Sequence, residues 1–191
     1  SNLTVQQHIC TVITKAQQRV GVFFRGFASR SVDIVRKTFI TYIRPILEYN
    51  TNVWNPTQKY LIDQLENVQR RFTKRVTSLK NFSYLERLSI LGLEPLELRR
   101  LRCDLIQYYK IFNNLTSLDH ADYFTVHQPS LSSRVSSSIL IKPLKRPNYV
   151  LSSFFYRSIN CWNSLSFSLK QSKSLNVLKI NLDSFDLTKF L

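Results

Sequence analysis

Over the first 113 residues, apolar side chains recur at steps of three and four, the period of one amphipathic helix after another. Val5, Ile9, Val12, Ile13, Ala16, Val20 and Phe23 fall on one face of a long first helix. Gly26 and Ser29 are its stop signals. Ser31 reads as the N-cap of a second helix, with Asp33 in the first turn, where the helix dipole favours negative charge. Its apolar positions are Val35, Phe39, Tyr42, Ile43, Ile46 and Leu47. Pro45 is predicted to kink or end it, because proline has no N–H and its ring crowds the previous turn. Asn55-Pro56, a cap followed by proline at the first helical position, predicts the start of a third helix. Its stripe is Leu61, Leu65, Val68, Phe72 and Val76. At about 100° per residue, Arg70 and Lys74 then point away from that stripe while Arg71 and Arg75 flank it. Asp63 and Glu66 are expected to neutralise part of the helix's first half, and nothing offsets its second half locally.

Ser83-Tyr84-Leu85-Glu86 is a capping box for a short fourth helix, with Gly92 as its stop. Pro95 opens a fifth, with stripe Leu98, Leu101, Leu105, Tyr108 and Phe112. Arg99, Arg100 and Arg102 stand near its start, against the dipole, so they pair with Glu94 or Glu97 or serve a partner. After Asn114 the pattern changes. Residues 116–149 are rich in Ser, Pro and His and read as an irregular connector with a short β-like run at 138–141. Helical spacing returns with Phe154, Phe155, Ile159 and Trp162, then with Leu175, Leu178 and Leu182, which predicts two short helices docking on the main body. The expected fold class is mainly α: a helical bundle with a partly irregular C-terminal extension carrying short helices and one short β segment. The divisions are 1–80, 81–115, 116–149 and 150–191.

Composition narrows the function. The 191 residues suit one medium domain or two small ones. Lys+Arg is 27 against 12 Asp+Glu, a formal net charge of +15. With no polybasic tail, that charge is built into folded elements and favours a polyanion, nucleic acid before an acidic membrane. Only 3 residues are Gly, which excludes most glycine-loop nucleotide sites. The longest apolar runs, such as Val22-Phe23-Phe24, fall far short of the roughly 20 residues a membrane span needs. Met is absent, so the chain is expected to be a piece of something longer or a processed product. No secretory signal opens it, and the Asn-x-Ser/Thr matches at Asn2, Asn81 and Asn114 are read as chance. Cys10, Cys103 and Cys161 make an odd, widely spaced set, expected to be small buried hydrophobes in a reducing compartment.

Several runs carry more than periodicity. Tyr42-Ile43-Arg44-Pro45-Ile46-Leu47-Glu48-Tyr49, then Val53-Trp54-Asn55-Pro56, then Leu65-Glu66-Asn67-Val68-Gln69-Arg70-Arg71-Phe72-Thr73 resemble the region after the palm in reverse transcriptases of jockey-like non-LTR retrotransposons. Further runs follow in order: Ala16 to Gly21 before them, Tyr84 to Leu88, Leu91-Gly92-Leu93 and Leu98 to Arg102 after them, and finally Phe154 to Arg157 and Trp162-Asn163-Ser164-Leu165. The resemblance implies a thumb over residues 1–80, a helical structure that packs along template–primer duplex, with an extension behind it. It also implies RNA and RNA–DNA duplex as partners, the palm domain as a neighbour, and the nucleus and cytoplasm as locations. The palm's paired aspartates are not in this chain. The resemblance places Mg2+ in the parent polymerase, so the piece is expected to be inactive alone, with no cofactor of its own. A Cys-x-x-Cys is missing, so no zinc knuckle is expected.

Two-metal chemistry needs carboxylates a few ångström apart. The one tight acidic cluster, Asp119-His120-Ala121-Asp122, reads as a solvated turn rather than a metal site. Phosphate contact is the better reading: Arg70, Arg71, Lys74 and Arg75 first, then Lys15, Arg19 and Lys80. Tyr49 and Trp54 either stack on bases or pack between helices, and Arg44 either contacts phosphate or pairs with Glu48. The competing reading is a decayed or domesticated remnant whose aromatic-rich helices bind a protein. The apolar stripes are needed for a core, so no membrane partner is expected.

Overall fold

A computed structural model describes residues 4–27, 31–123, 125–127, 139–141 and 154–191. The chain is mainly helical, as the periodicity predicts. It divides into two compact units, Ser1–Arg99 and Arg100–Leu191.

The first unit begins with α1 (Val5–Gly26), whose Thr4 and Gln7 form a reciprocal capping box. Helix α2 (Val32–Thr38) follows. Ser31 stands at its N-cap position but makes no side-chain cap bond. Pro45 does not end the helical path. A π-helical turn, Phe39–Ile43, passes directly into α3 (Arg44–Glu48). The wider turn has a steric cause: a proline ring collides with the carbonyl one α-turn back, and an i→i+5 bond from the Arg44 N–H to the Phe39 carbonyl gives it room. Asn50, in the left-handed region at φ 54°, leads into α4 (Thr51–Trp54).

Helix α5 (Lys59–Lys74) starts three residues after Pro56, not at it. Asn55 is spent closing α4, its N–H bonding the Thr51 carbonyl at 2.8 Å, and Pro56 is buried. Leu61, Leu65, Val68, Phe72 and Val76 are each at most 3% exposed, as the stripe predicts. Phe72 anchors the core, its ring 5.1 Å from Phe39, 5.4 Å from Phe24 and 5.8 Å from Phe23. Helix α1 lies along α5 and α3, while α2 and α5 pack against α6 (Tyr84–Leu91). The α6 ends match the sequence signals: Ser83 and Glu86 form the capping box, and Gly92 turns the chain out at φ 57°. Helix α7 (Leu96–Phe112) spans the boundary between the units.

In the second unit, 139–141 is a strand, β2, as predicted; the rest of the predicted run, Ser138, lies outside the described residues. Its antiparallel partner β1 (Thr125–His127) gave no sequence signal. Among the described residues, four short helices follow rather than two: α8 (Phe154–Arg157), α9 (Ile159–Ser164), α10 (Phe167–Lys170) and α11 (Leu175–Ser184). The predicted run from Phe154 to Trp162 breaks at Ser158, whose hydroxyl donates to Asp104 Oδ2 at 2.9 Å rather than capping the next helix, while Ser166 and Ser174 cap α10 and α11 with their side chains. Tyr108 and Trp162 stack with ring centres 5.4 Å apart in this unit's core.

Candidate nucleic-acid interface

Helices α1 and α5 leave a groove of about 470 Å3 between them, lined by Gln17 and Val20 from one side and Val68, Arg71, Lys74 and Arg75 from the other. Val20 and Val68 are buried and form an apolar floor. The cations stand at the end of α5, where they complement the helix dipole. The Arg75 guanidinium lies 4.1 Å above the centre of the Phe24 ring, a cation–π contact that fixes its direction. Among the described residues, none of Arg71, Lys74 and Arg75 is ion-paired. Three exposed cations on one helical turn can meet successive phosphates without reading sequence.

The remaining predicted contacts are not gathered here. Arg70 lies on the other flank of α5, its guanidinium 5.0 Å from the Tyr84 ring centre. Lys15 and Arg19 are each two residues from Gln17, hence about 160–200° around α1 and on its opposite side. Arg19 lines a second groove, of about 210 Å3, with Val22, Phe23, Phe27, Thr38 and Tyr42. Lys80 is exposed just beyond a 3-10 turn at Thr77–Leu79.

The flank of α5 facing α6 is polar yet buried. Tyr84 donates its hydroxyl hydrogen to Glu66 Oε1, and Glu66 Oε2 accepts the Leu96 N–H at 2.9 Å. Gln69 Nε2 donates to the Tyr84 hydroxyl at 3.0 Å and to the Glu94 carbonyl at 2.9 Å. Arg87 Nε donates to Thr73 Oγ1 at 3.1 Å. Burial, and then the Glu66 charge, push the Tyr84 hydroxyl well above the usual tyrosine range. Glu66 therefore does not neutralise an exposed surface: it is 5% exposed and satisfies the start of α7. Sequence reasoning missed this network. The signal was there in the spacing, since Glu66, Gln69 and Thr73 share one flank of a helix and face Tyr84 and Arg87 of the next.

Trp54 packs rather than stacking on a base: it is 7% exposed, touches the His8 ring, and donates Nε1–H to the Tyr49 carbonyl at 2.7 Å. The Tyr49 side chain remains 80% exposed. Arg44 does lie near Glu48, at 3.8 Å, although the shorter partner of Glu48 is Arg99, at 2.5 and 3.1 Å. Arg99 also pairs with Glu94 at 3.6 Å, Glu97 with Lys59 at 3.6 Å, and Arg102 with Asp183 at 3.3 Å. Arg100 is buried. The Asp119–Asp122 run forms a 3-10 turn capped by Asp119, which accepts the Ala121 N–H. Among the described residues no three His, Cys, Asp or Glu side chains converge. Of the cysteines, Cys161 is buried and its thiol is pushed up to about 12, whereas Cys10 is exposed because it falls off the apolar stripe of α1. No helix among the described residues is long and apolar enough to cross a membrane.

No protein family matches the chain. No solved structure matches it either. The chain is similar to an uncharacterised protein of Caenorhabditis elegans, 27% identical over 141 residues. That match covers 72% of this chain and 66% of the worm protein's length.

Proposed function

We propose that the chain grips nucleic-acid backbone through the α1–α5 groove, as the thumb region of a retrotransposon reverse transcriptase. The observation that carries this reading is the convergence of exposed, unpaired Arg71, Lys74 and Arg75 on one groove in a protein of net charge +15. RNA and RNA–DNA duplex are the ligands, and the parent's palm domain, with its Mg2+, is the neighbour that supplies chemistry. Work in the nucleus and cytoplasm follows from that role. A polymerase must hold any sequence and slide along it. Phosphate contacts suit this task because they give affinity without base readout. The word polymerase rests on the ordered motif resemblance, and the groove supports the binding half of the reading.

The test is filter binding of a mixed-sequence RNA–DNA duplex at about 50 and about 200 mM salt. The wild-type chain should lose affinity steeply. Replacing Arg71, Lys74 and Arg75 together by Gln should flatten the slope of log affinity against log salt by about 2–3 units, roughly one per lost phosphate contact. Binding that ignores salt, or a triple variant with an unchanged slope, sinks the proposal. Protein partners captured equally well at high salt would favour the remnant reading instead.

A further inference from the structure

The second groove of the first unit is built differently from the first. Phe27 is 56% exposed, Tyr42 is 64% exposed and Val22 is 56% exposed, an unusual concentration of bare apolar surface for six lining residues. The Phe27 ring is backed by buried Phe23, with ring centres 5.3 Å apart, so its outer face is presented by a fixed support. Tyr42 comes from the π-helical turn, one turn after Thr38 on the same wall. Among the described residues, Arg19 is the lone charge in the lining and no carboxylate borders the cavity.

We infer that this groove binds an unpaired nucleotide of single-stranded RNA or DNA, its base stacked on Tyr42 and Phe27 and its phosphate held by Arg19. A base offers a flat π-face to an aromatic ring whatever its identity, and an adjacent cation takes the phosphate; this pairing of ring and cation is how single strands are held without sequence preference. The occupant follows from charge complementarity. A chain of net charge +15 draws in polyanions, and among its described residues the groove combines ring faces with one cation and no acid to oppose a phosphate. The placement suits a division of labour. Gln17 and Arg19 face opposite sides of α1, so one helix separates a phosphate-gripping groove from a base-stacking one. The inference rests on the chain being a nucleic-acid binder, and it adds a second class of site to that reading.

The experiment uses the full chain and two probes, an unstructured single-stranded RNA and an RNA–DNA duplex of the same length. Tyr42→Ala and Phe27→Ala should each weaken single-strand binding roughly tenfold. Duplex binding should stay within about twofold, and the salt slope should not change. Tyr42→Trp should keep single-strand affinity, and its new indole fluorescence should be quenched by the single strand; native Trp54 and Trp162 are buried and supply the constant background. Thermal melts must show both alanine variants folded. Folded alanine variants that bind the single strand normally, or lose both probes equally, overturn the inference while leaving the duplex groove intact. If the wild-type chain binds neither probe, the broader reading fails and takes this one with it.

Discussion

Glu66, Gln69, Thr73, Tyr84 and Arg87 turn two sequence motifs into one buried polar network. Each member makes at least one hydrogen bond, which lowers the cost of burying such groups, although Gln69 Oε1 is buried without a partner. Tyr84→Phe keeps the ring and deletes the hydroxyl, so Glu66 and Gln69 each lose a partner. The expected cost is about 1–3 kcal/mol at neutral pH, read from urea unfolding. The same residue sets a pH dependence. The Tyr84 pKa is raised in the folded chain by burial and then by Glu66, while the unfolded value stays near 10. Below that value both states hold the proton and its contribution is complete. As pH rises past it, the unfolded chain releases a proton that the fold retains, so stability falls. Tyr108, raised by burial and then by Asp104, acts in the same direction. Unfolding free energies at about pH 8 and about pH 11 should therefore drop for the wild type and drop less for Tyr84→Phe. The shared flank of Glu66, Gln69 and Thr73 was legible in the spacing, but what covers that flank was not. A Glu inside a basic helix reads as a solvated neutraliser until the next helix is known to cover it.

At the scale of elements, what the sequence disclosed depends on how local the cause is. The Leu61–Val76 stripe and the Ser83 box involve residues three or four apart and appear where the pattern puts them, whereas Val5 of the first stripe and Tyr42 of the second are exposed, at 46% and 64%. The pairing of β1 with β2 joins segments far apart in sequence, and the pattern misses it; the start of α5 is misplaced because Asn55 closes α4 instead of capping the next helix. Pro45 shows the intermediate case: the clash was legible, but its relief by a π-turn rather than a helix end was not. The two glycines that the pattern marks as stops differ in kind. Gly92 has a φ of 57°, which an L side chain adopts only with strain, although a Cβ there would meet the Arg36 side chain at an ordinary 3.4 Å. Gly26 lies within α1, with open space where its Cβ would go. Gly92→Ala should lower unfolding stability by about 1 kcal/mol through backbone strain. Gly26→Ala should leave it unchanged or raise it by up to about 1 kcal/mol through helix propensity. Chemical denaturation of both variants separates the two mechanisms, and equal losses would mean that neither residue's backbone angle sets the cost.

For the whole molecule, the distribution of function between the units is the testable matter. Both grooves lie in the first unit, while the charge is carried by both: residues 1–99 hold 15 basic and 7 acidic side chains, residues 100–191 hold 12 and 5. Diffuse attraction of a polyanion to a basic protein would protect both units alike. Binding at the grooves would protect one. A ligand that binds only the folded state stabilises it by about 2.7 kcal/mol when present at about a hundred times its dissociation constant. Amide hydrogen exchange reports where that stabilisation falls, because protection rises in the elements whose opening the ligand opposes. With saturating RNA–DNA duplex at moderate salt, exchange should slow in α1 and α5 and stay unchanged in α11. The triple Gln variant at Arg71, Lys74 and Arg75 should lose the effect in both helices. Uniform slowing across both units would assign the net charge of +15 to general attraction and leave the α1–α5 groove without a special part in it.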